Sequence, residues 1–219
     1  MYTLTIGDRA YSSWSMRGWL LLAAFDLAFE EEAVPMYSDA FDRMAAARAP
    51  ARSVPQIAWS EDGREARVWD TLAIAETLAE RHPDAGLWPA GEAARRIARV
   101  AAAQMHAGYA VLRGACPMNL HREARPLATP PEGLGPDVAR LDELWAWCLA
   151  ESGGPWLAGR AFSAADVFAA PYATRLAAYA LDAPASGDYA ARVLAHGPVA
   201  RWIEAGRADP RRVARYEVD

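Results

Sequence analysis

The chain has 219 residues, 53% of them hydrophobic and 23% charged, with a formal net charge of −5. That apolar content supports a sizeable folded core, whereas a disordered chain would carry fewer apolar residues and a larger net charge. The acidic balance, without a basic stripe, argues against nucleic acid as a partner.

The first eighty residues switch repeatedly between strand and helix periods. Residues 2–6 alternate like a strand. Residues 15–25 place Met16, Trp19, Leu20, Leu22 and Ala23 at helical spacing. Residues 29–34 read as a second strand ended by Pro35, and 40–47 as a short helix. Residues 56–60 and 66–69 flank Asp62-Gly63, a strong hairpin-turn pair. Residues 71–81 return to helical spacing, with Leu72, Ala75, Leu78 and Ala79 toward the core. The order is β-α-β-α-β-β-α. Joining the first two strands through a helix requires a parallel crossover. The result is a four-stranded mixed sheet with helices on its faces.

Residues 82–91 are rich in Pro and Gly and read as a linker. Strand signals stop there. Residues 92–114 predict one long helix, with Ile97, Val100, Gln104, Met105, Gly108 and Leu112 along one side. Residues 126–136 read as a loop and 137–151 as a helix with the stripe Leu141, Leu144, Trp145 and Cys148. Residues 164–181 predict a helix kinked at Pro171, and 198–207 a last helix opened by Pro198. The expected fold class is therefore an α/β domain over 1–81, a linker over 82–91, and an all-helical domain over 92–219.

The opening residues are too short and polar for a signal peptide, and no apolar run nears the roughly 20 residues of a membrane-spanning helix. No membrane partner is expected. Cys116 and Cys148 make no disulfide framework and fit a reduced, cytoplasmic compartment. His82, His106, His121 and His196 lack metal-ligand spacing, so no metal is expected.

Four short stretches carry chemistry. Tyr11-Ser12-Ser13-Trp14-Ser15-Met16-Arg17 lies between the first strand and the first helix. A helix start exposes unpaired N–H groups and partial positive charge, which stabilise an anion, a thiolate included. Capping alone explains one serine, with Ser15 the expected N-cap. Three serines in four positions leave hydroxyls over for a ligand. Ser53-Val54-Pro55 opens the third strand, either as a plain strand-initiating proline or as a cis pair that offers the Val54 backbone to an extended ligand. Asp70-Thr71 opens the third helix, as an N-cap or as an anion site. Ser163-Ala164-Ala165-Asp166 after Phe162 is a capping box with a hydrophobic staple, a structural feature.

Taken in order, these stretches resemble the glutathione transferase family. S-S-W-S-x-R is similar to the S-S-C-S-x-R stretch of its zeta class, the maleylacetoacetate isomerases, with Trp14 standing where that pattern has cysteine. The resemblance implies a thioredoxin-like first domain and a helical second one, glutathione as co-substrate, and a twofold homodimer. It implies Ser12 as the hydroxyl that supports the glutathione thiolate, with Ser13 and Tyr11 as rivals, since another branch of the family uses a tyrosine. Trp14 would wall the pocket. Val54, before a cis Pro55, would pair with the cysteinyl backbone. Arg52 would reach the glycyl carboxylate, and Asp70 and Thr71 the γ-glutamyl end. Residues 104–119 are similar to a bacterial subgroup, which implies Met105, Tyr109 and Arg113 near the second substrate. The implied activity is conjugation of the thiolate to a small electrophile in detoxification. Glutathione-dependent cis-trans isomerisation and a weakly catalytic glutathione-binding module are the alternatives.

Overall fold

The structure, a computed structural model, describes residues 1–218. β1 (Tyr2–Ile6), α1 (Ser13–Ala23) and β2 (Phe29–Ala33) form the parallel crossover, with Tyr2 opposite Phe29 and Ile6 opposite Ala33. α2 (Asp39–Ala47) starts at Ser38, whose Oγ accepts from the Phe41 N–H. β3 (Gln56–Glu61) and β4 (Arg64–Trp69) make the hairpin across Asp62 and Gly63. Both turn residues have positive φ, 49° and 74°, as a two-residue turn of the type I′ kind requires. β3 also pairs antiparallel with β1, which gives the sheet order β2-β1-β3-β4. α3 (Thr71–Arg81) covers the expected residues.

Beyond it the described residues form helices: α4 (Glu92–Ala107), α5 (Ala110–Ala115), α6 (Leu134–Ser152), α7 (Ala164–Ala178), α8 (Tyr189–Ala195) and α9 (Gly197–Ala208). Trp156 and Gly159 add a single isolated bridge. The long helix expected over 92–114 is two helices. Gly108 leaves helical geometry with ψ near −173°, and Tyr109 follows in the left-handed region at φ 57°. α6 starts earlier than expected and takes in Pro136, because a first-turn proline lacks only an N–H that would be unpaired there anyway. α7 runs unbroken through Pro171 but ends at Ala178, three residues early, before Ala180 at positive φ. α8 was not expected.

The sheet and the helices share one apolar core. Buried Leu4, Ile6, Leu20 and Leu21 of the sheet layer join Ala101, Met105, Trp145 and Phe168 of the helices. Residues 82–91 are packed in and do not hang free. Leu87 and Trp88 are buried, and the Leu87 carbonyl accepts from Ala164 N–H at 2.8 Å, at the start of α7.

Candidate functional site

Three segments converge where α1 begins. Buried Gln56 holds the loop before β3, its amide donating to the carbonyls of Ala51 at 2.9 Å and Ser53 at 2.7 Å. The Val54–Pro55 bond in that loop is cis, as expected. Gly18 lets α1 lie against Pro55: a Cβ at residue 18 would fall 2.6 Å from the proline ring. The start of α1 therefore stands beside Val54. Among the described residues the Val54 backbone has no backbone hydrogen bond.

A cavity of about 370 Å³ opens there. Tyr11, Ser12, Ser13 and Trp14 line one side, and Arg52, Ser53 and Val54 another. Arg113, Pro117, Met118 and Arg175 come from the helical part. A larger hollow, of about 1100 Å³, lies between α6 and the loop after α7, but none of the expected site residues lines it.

The adjacent hydroxyls have different partners. Ser12, not Ser15, is the N-cap of α1: its Oγ accepts from the Ser15 N–H at 3.1 Å. Ser12 also donates to Ser15 Oγ at 2.7 Å, and Ser15 Oγ accepts from the Gly7 N–H at 2.9 Å. The helix begins two residues earlier than its apolar spacing suggests because Ser12 completes the first turn. Ser13 Oγ accepts from the Arg175 guanidinium at 3.3 Å, which leaves its proton free for another acceptor. Tyr11 donates to the Glu217 carboxylate at 2.6 Å. Burial, then that bond, pushes its hydroxyl up to about 12.

Positive charge surrounds the cavity. Arg17 is buried, donates to the carbonyls of Met105 at 3.0 Å and Phe168 at 3.4 Å, and lies over the Trp14 ring. Arg175 is buried and donates to the carbonyls of Cys116 at 2.8 Å and Pro171 at 2.9 Å. Burial pulls both guanidiniums down to about 10; Arg175 and Arg113 lower Arg17 further, and Arg113 lowers Arg175. Among the described residues none of these three arginines has a carboxylate partner within salt-bridge distance.

Asp70 caps α3 with φ 72°, its Oδ1 accepting from the N–H groups of Leu72 at 2.8 Å and Ala73 at 3.4 Å. Its Oδ2 lies 3.3 Å from His106 Nε2, and His106 packs edge-on to Trp14. Burial lowers the His106 pKa against the pull of Asp70. Thr71 Oγ1 is buried without a hydrogen-bond partner.

Seven of the expected residues thus line one cavity: Tyr11, Ser12, Ser13, Trp14, Arg52, Val54 and Arg113. Asp70 and Thr71 stand outside its lining, tied to it through His106 and Trp14. Met105 and Tyr109 do not reach it. Met105 is fully buried, its sulfur accepting from Trp145 Nε1 at 3.3 Å, and Tyr109 is buried edge-on to Tyr172. Both sit in the core, because α4 ends at Gly108 and Tyr109 turns inward. The cavity residues the sequence did not reveal are Met36, Tyr37, Phe41, Arg175 and Tyr216. Only Arg175 left a signal, as the one basic residue in the mostly apolar stretch 164–181.

Neither cysteine is poised for chemistry. Both are buried, and burial raises the Cys116 thiol to about 11 and Cys148 to about 12. Among the described residues no group of three or more His, Cys, Asp or Glu is arranged to hold a metal, and no helix is long and apolar enough to cross a membrane.

Residues 11–81 match the family model for the glutathione S-transferase N-terminal domain. No curated protein matches the sequence. Among solved structures, the chain is similar to maleylacetoacetate isomerase from Anaeromyxobacter dehalogenans with glutathione bound in its active site: 26% identity over 96% of this chain and 98% of that one, TM-score 0.69. A glutathione transferase homologue from Burkholderia, also with bound glutathione, is 20% identical over 95% of this chain and 99% of that one, TM-score 0.63. FzlA from C. crescentus is 19% identical over 100% of this chain and 99% of that one, TM-score 0.71. The last two likenesses speak to fold alone. The chain thus carries a glutathione S-transferase N-terminal domain over residues 11–81, within the glutathione S-transferase fold over nearly its whole length.

Proposed function

We propose that the protein is a glutathione-dependent transferase that conjugates the glutathione thiolate to a small, acid-bearing electrophile. The observation that carries this reading is the meeting, at one cavity, of the α1 N-terminus with its serines, the Val54 backbone, and Arg113 and Arg175, which have no carboxylate partner among the described residues.

Glutathione would lie with its cysteinyl backbone on Val54, its glycyl carboxylate toward Arg52, and its γ-glutamyl end at Asp70 and Thr71. The sulfur would then face the start of α1. There the exposed N–H groups and the helix dipole favour thiolate over thiol, and a serine hydroxyl donates one further hydrogen bond. Ser13 has its proton free, whereas Ser12 must first release Ser15. The thiolate attacks the electrophilic carbon, the carbon–sulfur bond forms, and the leaving group departs with its electron pair. Arg113 and Arg175 would hold an acid group on the electrophile, because a carboxylate there supplies the charge partner that both lack.

The second reading is isomerisation, in which the thiolate adds to a conjugated double bond, rotation follows, and the thiolate leaves. The arginine pair suits a dicarboxylate such as a maleyl compound, and the similar Anaeromyxobacter protein is a maleylacetoacetate isomerase. Trp14, in place of the zeta-class cysteine, weighs toward conjugation.

The test is turnover of purified protein with glutathione and a panel of aryl halides, peroxides, isothiocyanates and maleylacetone. The expected result is turnover that favours acid-bearing members and drops by about tenfold or more in Arg175→Met, as loss of a charged hydrogen bond implies. No turnover with any member, despite glutathione binding, would leave a binding module. We further propose a cytoplasmic twofold homodimer, with exposed Val100 of α4 and Trp147 of α6 on the contact face. Sedimentation at micromolar concentration should give the dimer mass, and Trp147→Asp the monomer mass. A wild-type monomer would refute this.

A further inference from the structure

The last described residues return to the cavity, and nothing in the glutathione reading requires them to. Residues 209–218 cross from the end of α9 over the start of α1. Arg211 pairs with Asp8 and donates to the Met36 carbonyl at 2.7 Å. Glu217 is held twice, by Tyr11 at 2.6 Å and by the Asn119 side-chain amide at 3.1 Å. Tyr216 stacks on Tyr11, ring centroids 5.3 Å apart and planes 16° apart. Its hydroxyl meets that of Tyr37 at 2.7 Å.

Tyr37 belongs to the turn between β2 and α2, 179 residues away in sequence. It is 55% exposed and sits at φ 58°, with Arg215 over its ring. The Tyr37–Tyr216 bond therefore closes a bridge between two segments on either side of the cavity, and both rings line it. The enclosed space, about 370 Å³, is near the low end for a small-molecule site, yet its walls run from Arg52 and Val54 to Arg113 and Arg175. Little room remains for a second reactant once the cysteinyl and glycyl parts of the tripeptide are seated there.

We propose that Tyr216, latched by Tyr37, is a specificity-determining wall that limits the length of the group carried on the glutathione sulfur. This rests on the glutathione reading of the cavity. Glu217 acts through the wall as a positioning residue, since it fixes the Tyr11 ring on which Tyr216 stacks. A tyrosine at the wall sets a cut-off in size. The latch makes that cut-off firm, because an unlatched ring can swing aside with its terminal segment.

The test is the affinity of S-methylglutathione and S-hexylglutathione for the wild-type protein, Tyr216→Ala and Tyr37→Phe, by calorimetry. The wild type should gain little or nothing from the longer chain. Tyr216→Ala should improve S-hexylglutathione binding by about tenfold, which two buried methylenes suffice to give, and leave S-methylglutathione within about twofold. Tyr37→Phe keeps every ring and removes only the latch, so it serves should Tyr216→Ala fold poorly. It should shift the ratio the same way by about threefold, the scale of one neutral hydrogen bond. An unchanged ratio in both variants, with both ligands bound, overturns the wall and leaves the glutathione reading standing. Failure of the wild type to bind either ligand overturns both.

Discussion

Tyr11, Ser12 and Ser13 are consecutive, yet their hydroxyls do three different things. Tyr11 serves the C-terminal segment, Ser12 the helix, and Ser13 faces the cavity with a proton free. Their presence at the site was legible in the sequence; their division of labour was not, because it depends on Glu217, Ser15 and Arg175, two of them far away in the chain. Asp166 shows the same limit. The sequence marks it as a capping-box acid, and its carboxylate does accept from the Ser163 N–H at 2.9 Å. The Ser163 hydroxyl, however, donates to that carboxylate, and the Asp166 N–H bonds the Ser163 carbonyl. Asp166 also accepts from the Leu157 N–H at 3.0 Å and from Tyr189 at 2.8 Å, so one fully buried carboxylate joins the 157 turn, α7 and α8. Asp166→Ala strands four donors, each costing about 1–3 kcal/mol when left buried and unmade. A loss of about 3 kcal/mol or more in urea unfolding is expected, and a loss under about 1 kcal/mol would contradict this account of α7.

At the scale of elements, α1 is placed by what it lacks. Alanine is favoured over glycine inside a helix by about 1 kcal/mol, so helix propensity alone predicts that Gly18→Ala stabilises. The new Cβ would stand 2.6 Å from two ring atoms of Pro55, which are tied to the backbone and cannot swing away. Overpacking of this kind costs about 1–3 kcal/mol, and the steric term wins. The expected outcome is a lower melting temperature and weaker glutathione binding, because α1 is pushed off the Val54 loop; a raised melting temperature would show that propensity prevails. α3 and the β3–β4 hairpin were legible because their end signals, Asp70 and Asp62-Gly63, are local. The break between α4 and α5 was hidden by an apolar pattern that continues through Gly108. α8 was hidden because its two buried residues, Tyr189 and Val193, are too few to set a period.

The whole molecule is one core served by buried arginines. Arg17 of α1 donates to carbonyls of α4 and α7, and Arg175 of α7 donates to Ser13 of α1. We propose that the division into two domains falls at residues 82–91, as a packed seam and not a hinge, since Leu87 and Trp88 are buried there. The mixed sheet and the helical remainder were legible because periods of two and of 3.6 residues are written locally. The C-terminal closure was not, because nothing in Tyr216 or Glu217 announces a partner about two hundred residues earlier. We propose that the glutathione thiolate rests at the start of α1 on a serine hydroxyl, with Tyr11 withheld by its bond to Glu217. Thiolate absorbance of bound glutathione, followed against pH, tests it in the wild type, Ser12→Ala, Ser13→Ala and Tyr11→Phe. A hydroxyl that binds thiolate better than thiol lowers the thiol pKa, so its removal raises that pKa, by about one to two units for a charged hydrogen bond. The account predicts that upward shift in Ser13→Ala at unchanged stability, a shift in Ser12→Ala together with about 1 kcal/mol of lost helix capping, and none in Tyr11→Phe. An upward shift in Tyr11→Phe with both serine variants unmoved would make this a tyrosine site and contradict the claim.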